Sequence, residues 1–262
     1  MSDPRIRYEV REQVGVITLD RPEVKNALGP EQWQAIGDAV GRAASDDTVR
    51  AVLIAGSGGA FSAGGDLKTM PERLAQPLAV REANLLHDAA TVAAIRALEK
   101  PVVAQIDGVA IGAGLALALA CDVRISTPTA RLGATFHKVG LTGDFGMLWL
   151  LPRLVGPARA LDLMLSAELV DGGRAYELGL VSRLVPAERL SDETWAYLRA
   201  LVAGPPLAMA RTKRGMQRAL EVGFEDMLGW EAHAQAECSR SADAAEGVAA
   251  FQQRRKPSFT GR

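Results

Sequence analysis

The segment that most restricts the fold is residues 102–125, the longest apolar stretch in the chain. It is interrupted by Gln105, Asp107 and Asp122 and punctuated by Gly108, Gly112 and Gly114. A membrane-crossing helix needs about 20 predominantly apolar residues, and these interruptions argue against one. A buried strand, a tight turn, a helix and a second strand fit better. A strand–turn–helix–strand unit this apolar must sit inside a substantial core, and 262 residues are enough to build one.

The flanking sequence continues the alternation. Val14–Leu19 and residues 51–55 are runs of strand length rich in β-branched or aliphatic residues. Between them, Pro30 follows Gly29 as a first helical residue, and Trp33, Ile36 and Val40 recur on one helical face. Val102–Ile106 and residues 123–125 read as further buried strands. Beyond Pro128 only residues 181–185 read as a strand; helices are expected over roughly 145–165, 172–178, 188–203, 206–221 and 224–254 with a break. Strands alternating with helices, then a helical tail, imply an α/β core with a helical C-terminal layer. The turn at residues 203–206 divides the chain into a core, 1–203, and a tail, 204–262. Apolar stripes on such a tail must pack on the core or on a neighbouring subunit, so an oligomer is expected.

Composition excludes several functions. A net charge of −1 removes the general electrostatic case for nucleic acid or an anionic membrane. Two distant cysteines, Cys121 and Cys238, form neither a disulfide framework nor a thiolate metal site, and residues 1–10 are charged without an apolar leader segment. A cytoplasmic protein is expected. There is no GxxxxGK[ST], no completed GxGxxG and no GxSxG, and none of the three histidines (His87, His137, His233) has HExxH spacing. No metal site and no cofactor are expected.

Two glycine-rich turns remain, each following an expected strand. Residues 58–68 read Gly-Gly-Ala-Phe-Ser-Ala-Gly-Gly-Asp-Leu-Lys; residues 107–114 read Asp-Gly-Val-Ala-Ile-Gly-Ala-Gly and open a helix at Leu115. Residues without side chains let a ligand approach the backbone, and helix N-termini leave N–H groups unpaired. Two such groups converging on one oxygen make an oxyanion hole. From spacing alone, tight turns are the plainer explanation of the glycines.

Residues 14–28 (Val-Gly-Val-Ile-Thr-Leu-Asp-Arg-Pro-Glu-Val-Lys-Asn-Ala-Leu) resemble the opening of the crotonase, or enoyl-CoA hydratase/isomerase, superfamily. So do Phe61 to Leu67, Lys100-Pro101, Asp107 to Ala110, Gly112-Ala113-Gly114, Cys121-Asp122, Ser166-Ala167-Glu168, Leu178 to Val181, Val185-Pro186 and Phe251 with Arg254 to Pro257. The resemblance runs in order along essentially the whole chain. It implies a spiral of ββα units with a C-terminal helical trimerisation region, assembled as a trimer or dimer of trimers. It implies an acyl-CoA thioester as substrate, with Gly65 and Ala113 donating N–H groups to the thioester oxygen. Ala63, Asp66, Gly112 and Phe136 fall in its substrate-binding segments. Lys25 and Leu67 fall where such proteins meet the adenine and phosphate end of CoA, although for Lys25 a solvated loop charge is the plain alternative.

Hydratases of this family use two glutamates, and the matching positions here hold Ala116 and Phe136. Neither carries a proton, which argues against hydration. Four residues after Gly140 stands Asp144, where relatives with isomerase or dehalogenase activity place a catalytic aspartate. Residues 136–156 look most like the isomerases that expand the epoxide of ring-1,2-epoxyphenylacetyl-CoA. One carboxylate suffices to take a proton from one carbon and return it to another, and burial against Phe136, Phe145 and Trp149 would raise its pKa toward a useful value. The plain alternative for Asp144 is a turn or N-cap before a helix from Phe145.

The expected function is therefore an enoyl-CoA or aryl epoxide-CoA isomerase. Three alternatives remain: a hydratase-like lyase with atypical residues, a hydrolase or dehalogenase using Asp144 as nucleophile, and a non-catalytic acyl-CoA binder. The dehalogenase path needs a histidine base near Ala89; His87 lies two residues away, about 200° around the helix. Cys121 and Asp122 read as a helix end and strand start, and His137 as structural or pocket-lining. Residues 70–88 should line the acyl pocket, with Leu74, Leu78, Leu85 and His87 as candidates. Only Arg42 is basic among residues 30–45, so RNA binding is unsupported.

Overall fold

The computed structural model describes residues 4–262. Of the charged opening, Met1, Ser2 and Asp3 lie outside the described residues. The rest enters a hairpin of β1 (Ile6–Arg11) and β2 (Val14–Leu19), turned by Glu12 and Gln13, both at positive φ (51° and 60°). Positive φ at both central residues matches the turn to the strands' right-handed twist. Next come α1 (Pro30–Ser45), β3 (Ala51–Gly56), α2 (Met70–Leu74), α3 (Leu78–Ala97), β4 (Val102–Ile106), β5 (Val109–Ile111), α4 (Ala113–Ala120) and β6 (Val123–Ser126). β7 (Arg131–Gly133), α5 (Met147–Val155), α6 (Pro157–Ser166), β8 (Val170–Asp171), α7 (Gly172–Glu177), β9 (Arg183–Leu184) and α8 (Leu190–Val202) follow. The tail is α9 (Pro206–Arg218), α10 (Phe224–Ser239) and α11 (Ala242–Gln252).

The large sheet has the order β1-β2-β3-β4-β6-β9 and is parallel except for β1. Its strands alternate two cores, as period-two geometry demands. Ile17, Leu19, Val52, Ile54, Val102 and Ala104 face the main core with α1 and α4. Val14, Val16, Ala51, Leu53 and Val103 face the second core, under Trp195 and Leu198 of α8.

A small sheet, β5-β7-β8, lies beside the large one. Two isolated parallel bridges, Ser62 with Ala110 and Leu28 with Gly65, carry its pairing back through the two preceding turns of the chain. Successive passes thus put one strand in the large sheet and one short extended segment beside the small sheet before a helix returns. This is the expected spiral of ββα units.

Residues 102–125 fold as expected, with one strand more, β5, and no helix among the described residues is long and apolar enough to cross a membrane. The strands missed in sequence are β1, which is largely exposed, and β5, β7 and β8, which have three residues or fewer. Such short runs carry no readable periodicity. The helix expected over 145–165 is two, parted at Gly156 (φ +83°) with Pro157 opening the second. The tail is tied to the core through α9. Lys213 pairs with Asp122 at 2.8 Å, while the Asp122 carboxylate accepts the Val102 N–H at 2.7 Å. Gln217 reaches the Arg96 carbonyl at 2.8 Å, and Arg211 ties α9 to Glu237 of α10.

One buried side chain joins three loops. Asn26 Nδ2 donates to the carbonyls of Ser57 (2.9 Å) and Ala60 (2.7 Å), and its Oδ1 accepts the Arg21 N–H at 2.8 Å. The Ser62 hydroxyl donates to the Asn26 carbonyl at 2.8 Å and accepts the Gly64 N–H at 3.1 Å. Gly64 itself sits at φ +90°, and a Cβ there would lie 2.5 Å from the Ile111 carbonyl oxygen. Only glycine permits both the dihedral and that approach.

Two substitutions test this junction. Asn26→Ala leaves the buried Ala60 carbonyl, the half-buried Ser57 carbonyl and the Arg21 N–H without their partner and is expected to cost about 2–4 kcal/mol. Gly64→Ala combines left-handed strain with overpacking and is expected to cost a similar about 2–4 kcal/mol. Urea unfolding of each variant measures both.

Candidate active site

The junction positions a cavity of about 370 Å³ between the two glycine-rich turns. Ala63, Gly64, Gly65, Asp66 and Leu67 line it from the first turn, Gly112 and Ala113 from the second, and Thr135, Phe136, Lys138, Leu141, Asp144 and Phe145 from the segment after β7. Ser62 zips the turns together: its N–H donates to the Val109 carbonyl (2.8 Å) and its carbonyl accepts the Ile111 N–H (3.0 Å).

Among the described residues, neither the Gly65 nor the Ala113 N–H donates to another protein group. Ala113 is the first residue of α4, so its N–H has no acceptor within the helix. Gly112 precedes it at φ +53° and turns the chain into the helix. The two unpaired donors stand in adjacent turns; a Cβ on Gly64 would lie 3.4 Å from the Ala113 nitrogen. They suit an oxygen that gains negative charge.

Two carboxylates line the cavity, and their situations differ. Asp66 is committed to the scaffold. Its Oδ2 accepts from Arg21 Nη1 at 2.9 Å, a nitrogen that also donates to the Ala27 carbonyl, and its Oδ1 accepts the Lys68 N–H. Asp144 has no such commitment: its Oδ1 is shielded from solvent without a hydrogen-bond partner. Burial pushes its pKa up to about 6, with the charges of Arg81 and Arg73 opposing that rise. Asp144 does open a turn, its carbonyl accepting the Met147 N–H at 2.9 Å, but it is not a helix cap: α5 starts at Met147, Gly146 occupies the N-cap position, and no side chain caps the helix. The aromatic setting also needs correction. Phe136 and Phe145 line the cavity, but Trp149 lies under the guanidinium groups of Arg96 and Arg153 elsewhere. Phe145 has φ +51° and stacks on Trp33 with ring centroids 4.2 Å apart. An aromatic residue in that region is strained, and such strain clusters at functional sites.

Ala116 is fully buried in the core behind the second turn. Of the residues expected at the site, Lys25 alone does not line the cavity. Its exposed side chain follows Val24, which does, and its carbonyl accepts the Ala63 N–H at 2.8 Å. The acyl-pocket residues expected from 70–88 are corrected. Leu74 and Leu78 are exposed, Leu85 is not part of the lining, and His87 bonds Gln34 at 2.9 Å on an exposed face. His137 is exposed and outside the lining as well. From that stretch the lining instead takes Met70, Arg73 and Arg81. Arg73 is buried and paired with Asp88 at 3.3 Å. The sequence signal for these arginines was slight, two cations in a stretch without a usable period.

The sequence profile of the enoyl-CoA hydratase/isomerase family matches residues 9–262. A Rhodobacter capsulatus protein named a probable enoyl-CoA hydratase is 39% identical over 263 residues, covering all of both chains. The 1,2-epoxyphenylacetyl-CoA isomerase of Escherichia coli is 34% identical over 260 residues, 98% of each chain. The crystal structure of an enoyl-CoA hydratase from Polaromonas sp. JS666 superposes with a TM-score of 0.93 at 31% identity, over 97% of this chain and 99% of that one.

A buried, unpaired carboxylate has a measurable signature. Because the Asp144 pKa is raised in the fold to about 6, the native state holds its proton more tightly than the unfolded chain. Its contribution is favourable below about pH 4 and is lost as pH rises through about 6. Asp144→Asn is therefore expected to be more stable than the wild type at pH 8, by about 1–3 kcal/mol. Thermal or urea unfolding at both pH values checks the difference, which should vanish at the acid end.

Proposed function

Because this chain belongs to the enoyl-CoA hydratase/isomerase family, we propose that it is an acyl-CoA isomerase with Asp144 as its single proton carrier. The observation that carries the reading is the contrast between the two cavity carboxylates. Asp66 is held by Arg21, and Asp144 alone is free to exchange a proton. Syn hydration uses one group to activate water and another to handle the Cα proton, and one free carboxylate does not cover both tasks. The apolar Ala116 and Phe136, where hydratases carry glutamates, support the same choice.

The steps follow from the groups present. The thioester oxygen accepts from the N–H groups of Gly65 and Ala113. Asp144 takes a proton from C2 of a 3-enoyl-CoA, and the C–H electron pair delocalises onto the thioester oxygen as a dienolate. The protonated Asp144 returns the proton at C4, the carbonyl re-forms, and a 2-enoyl-CoA results. An aryl epoxide-CoA is the other substrate class supported by likeness to the epoxide isomerase. A pKa near 6 leaves Asp144 mostly ionised at neutral pH yet basic enough to accept a carbon-bound proton. Leu67, Lys68 and Lys138 in the lining, with Lys25 nearby, suit the CoA portion. His87 lies outside the lining, so a hydrolytic or dehalogenase path has no histidine base there.

We further propose that the chain assembles as a homotrimer or dimer of trimers through its helical tail. Phe224, Met216 and Phe251 are largely exposed there and invite a second copy. Sedimentation velocity is expected to give at least a trimer, and a monomer at micromolar concentration rejects the assembly.

Conversion of a 3-enoyl-CoA to its 2-enoyl isomer, followed by chromatography, tests the catalytic reading. Asp144→Ala is expected to lower the rate about 10²–10⁴-fold, while the wild type hydrates crotonyl-CoA poorly. The rate should fall on the acid side of pH 6 as the base is protonated. Rapid crotonyl-CoA hydration that survives Asp144→Ala rejects the proposal.

A further inference from the structure

The cavity contains a cation that the catalytic reading does not use. Arg81 lines it from near the start of α3, and Arg81 Nη1 is shielded from solvent with no hydrogen-bond acceptor among the described residues. The nearby acids are otherwise engaged or stand apart. Asp88 is paired with the buried Arg73, and Asp66 with Arg21. Asp144 feels the charge of Arg81 but shares no hydrogen bond with it, each leaving an unpartnered buried atom. The first turn of α3 contains no acidic residue, so Arg81 adds to the positive end of the helix dipole instead of opposing it.

We propose that Arg81 is a specificity residue that receives a second carboxylate on the acyl group, so that the preferred substrates are ω-carboxyacyl-CoA thioesters. The inference rests on the reading of this cavity as an acyl-CoA site and deepens it. A plain alkyl chain would leave the already shielded Arg81 Nη1 without an acceptor, so its unmet need for a partner would persist in the complex. A carboxylate gives it a charge-assisted partner, and guanidinium and carboxylate match in a paired geometry. The need is greatest during turnover. When Asp144 takes up the substrate proton it becomes neutral and ceases to balance Arg81, whereas a substrate carboxylate keeps its charge throughout. The apolar Trp33, Met70, Leu141 and Phe145 in the same lining accommodate the methylene chain.

Affinity measured by isothermal titration calorimetry on the full-length protein tests the inference without requiring turnover. The probes are saturated, unreactive CoA thioesters of matched length: pentanoyl- against glutaryl-CoA, and heptanoyl- against pimeloyl-CoA. The wild type is expected to favour the carboxylated member of at least one pair by about 10–100-fold. In Arg81→Leu that ratio should fall to near unity, and in Arg81→Lys it should be partly restored. Two results overturn the inference while sparing the acyl-CoA reading: equal or weaker binding of the carboxylated member in both pairs, or an undiminished ratio in Arg81→Leu. Binding of none of the four thioesters overturns both.

Discussion

The arrangement depends on the buried amide of Asn26. Two chain turns that are far apart in sequence, one after β3 and one after β4, must come within van der Waals distance without side chains between them. Asn26 satisfies the backbone groups this leaves inside the protein, holding Ser57, Ala60 and Arg21 by its side chain and Ser62 by its carbonyl. Ser62 then pairs with the strand edge at Val109 and Ile111. Buried polar groups that lacked these partners would each cost about 1–3 kcal/mol, so the network is fully connected or the junction does not form. The N–H groups of Gly65 and Ala113 are left unpaired by the same geometry, on turns that line the cavity.

The electrostatics of the cavity are organised around separation of tasks. One carboxylate, Asp66, is tied to Arg21 and holds the first turn in place. The other, Asp144, is buried without a partner, and burial raises its pKa while two arginines restrain the rise. Desolvation alone would favour a permanently protonated acid, and close pairing would favour a permanently ionised one. The intermediate setting leaves a group that can both lose and accept a proton near neutral pH. The strained Phe145 beside it, stacked on Trp33, shows that the backbone here is held by packing against its local preference.

Much of this was legible from residue order. The buried strands and the helix of residues 102–125 follow from short apolar runs parted by polar residues and glycines, and the two glycine turns from their position after strands. Eight of the nine residues expected at the site line one cavity, with Lys25 beside it. What escaped has a common cause. β5, β7 and β8 are too short to show alternation, and the bridge at Ser62 is a single residue pair. Arg73 and Arg81 lie on segments whose inward face is set by what packs against them, so Leu74, Leu78 and Leu85 looked like better pocket candidates, yet the first two are exposed and the third lies outside the lining.

By itself the sequence determined the alternating strand and helix order, the two side-chain-free turns, and the absence of carboxylates at residues 116 and 136, because these are properties of residue identity and local spacing. Only the tertiary structure decided the state of Asp144 and Arg81, each with a buried polar atom left unpartnered. A carboxylate's basicity and a guanidinium's need for a partner are set by burial and by charges from elements distant in the chain. α3 supplies Arg81, the segment before α5 supplies Asp144, and their electrical environment exists only once both close on the same cavity.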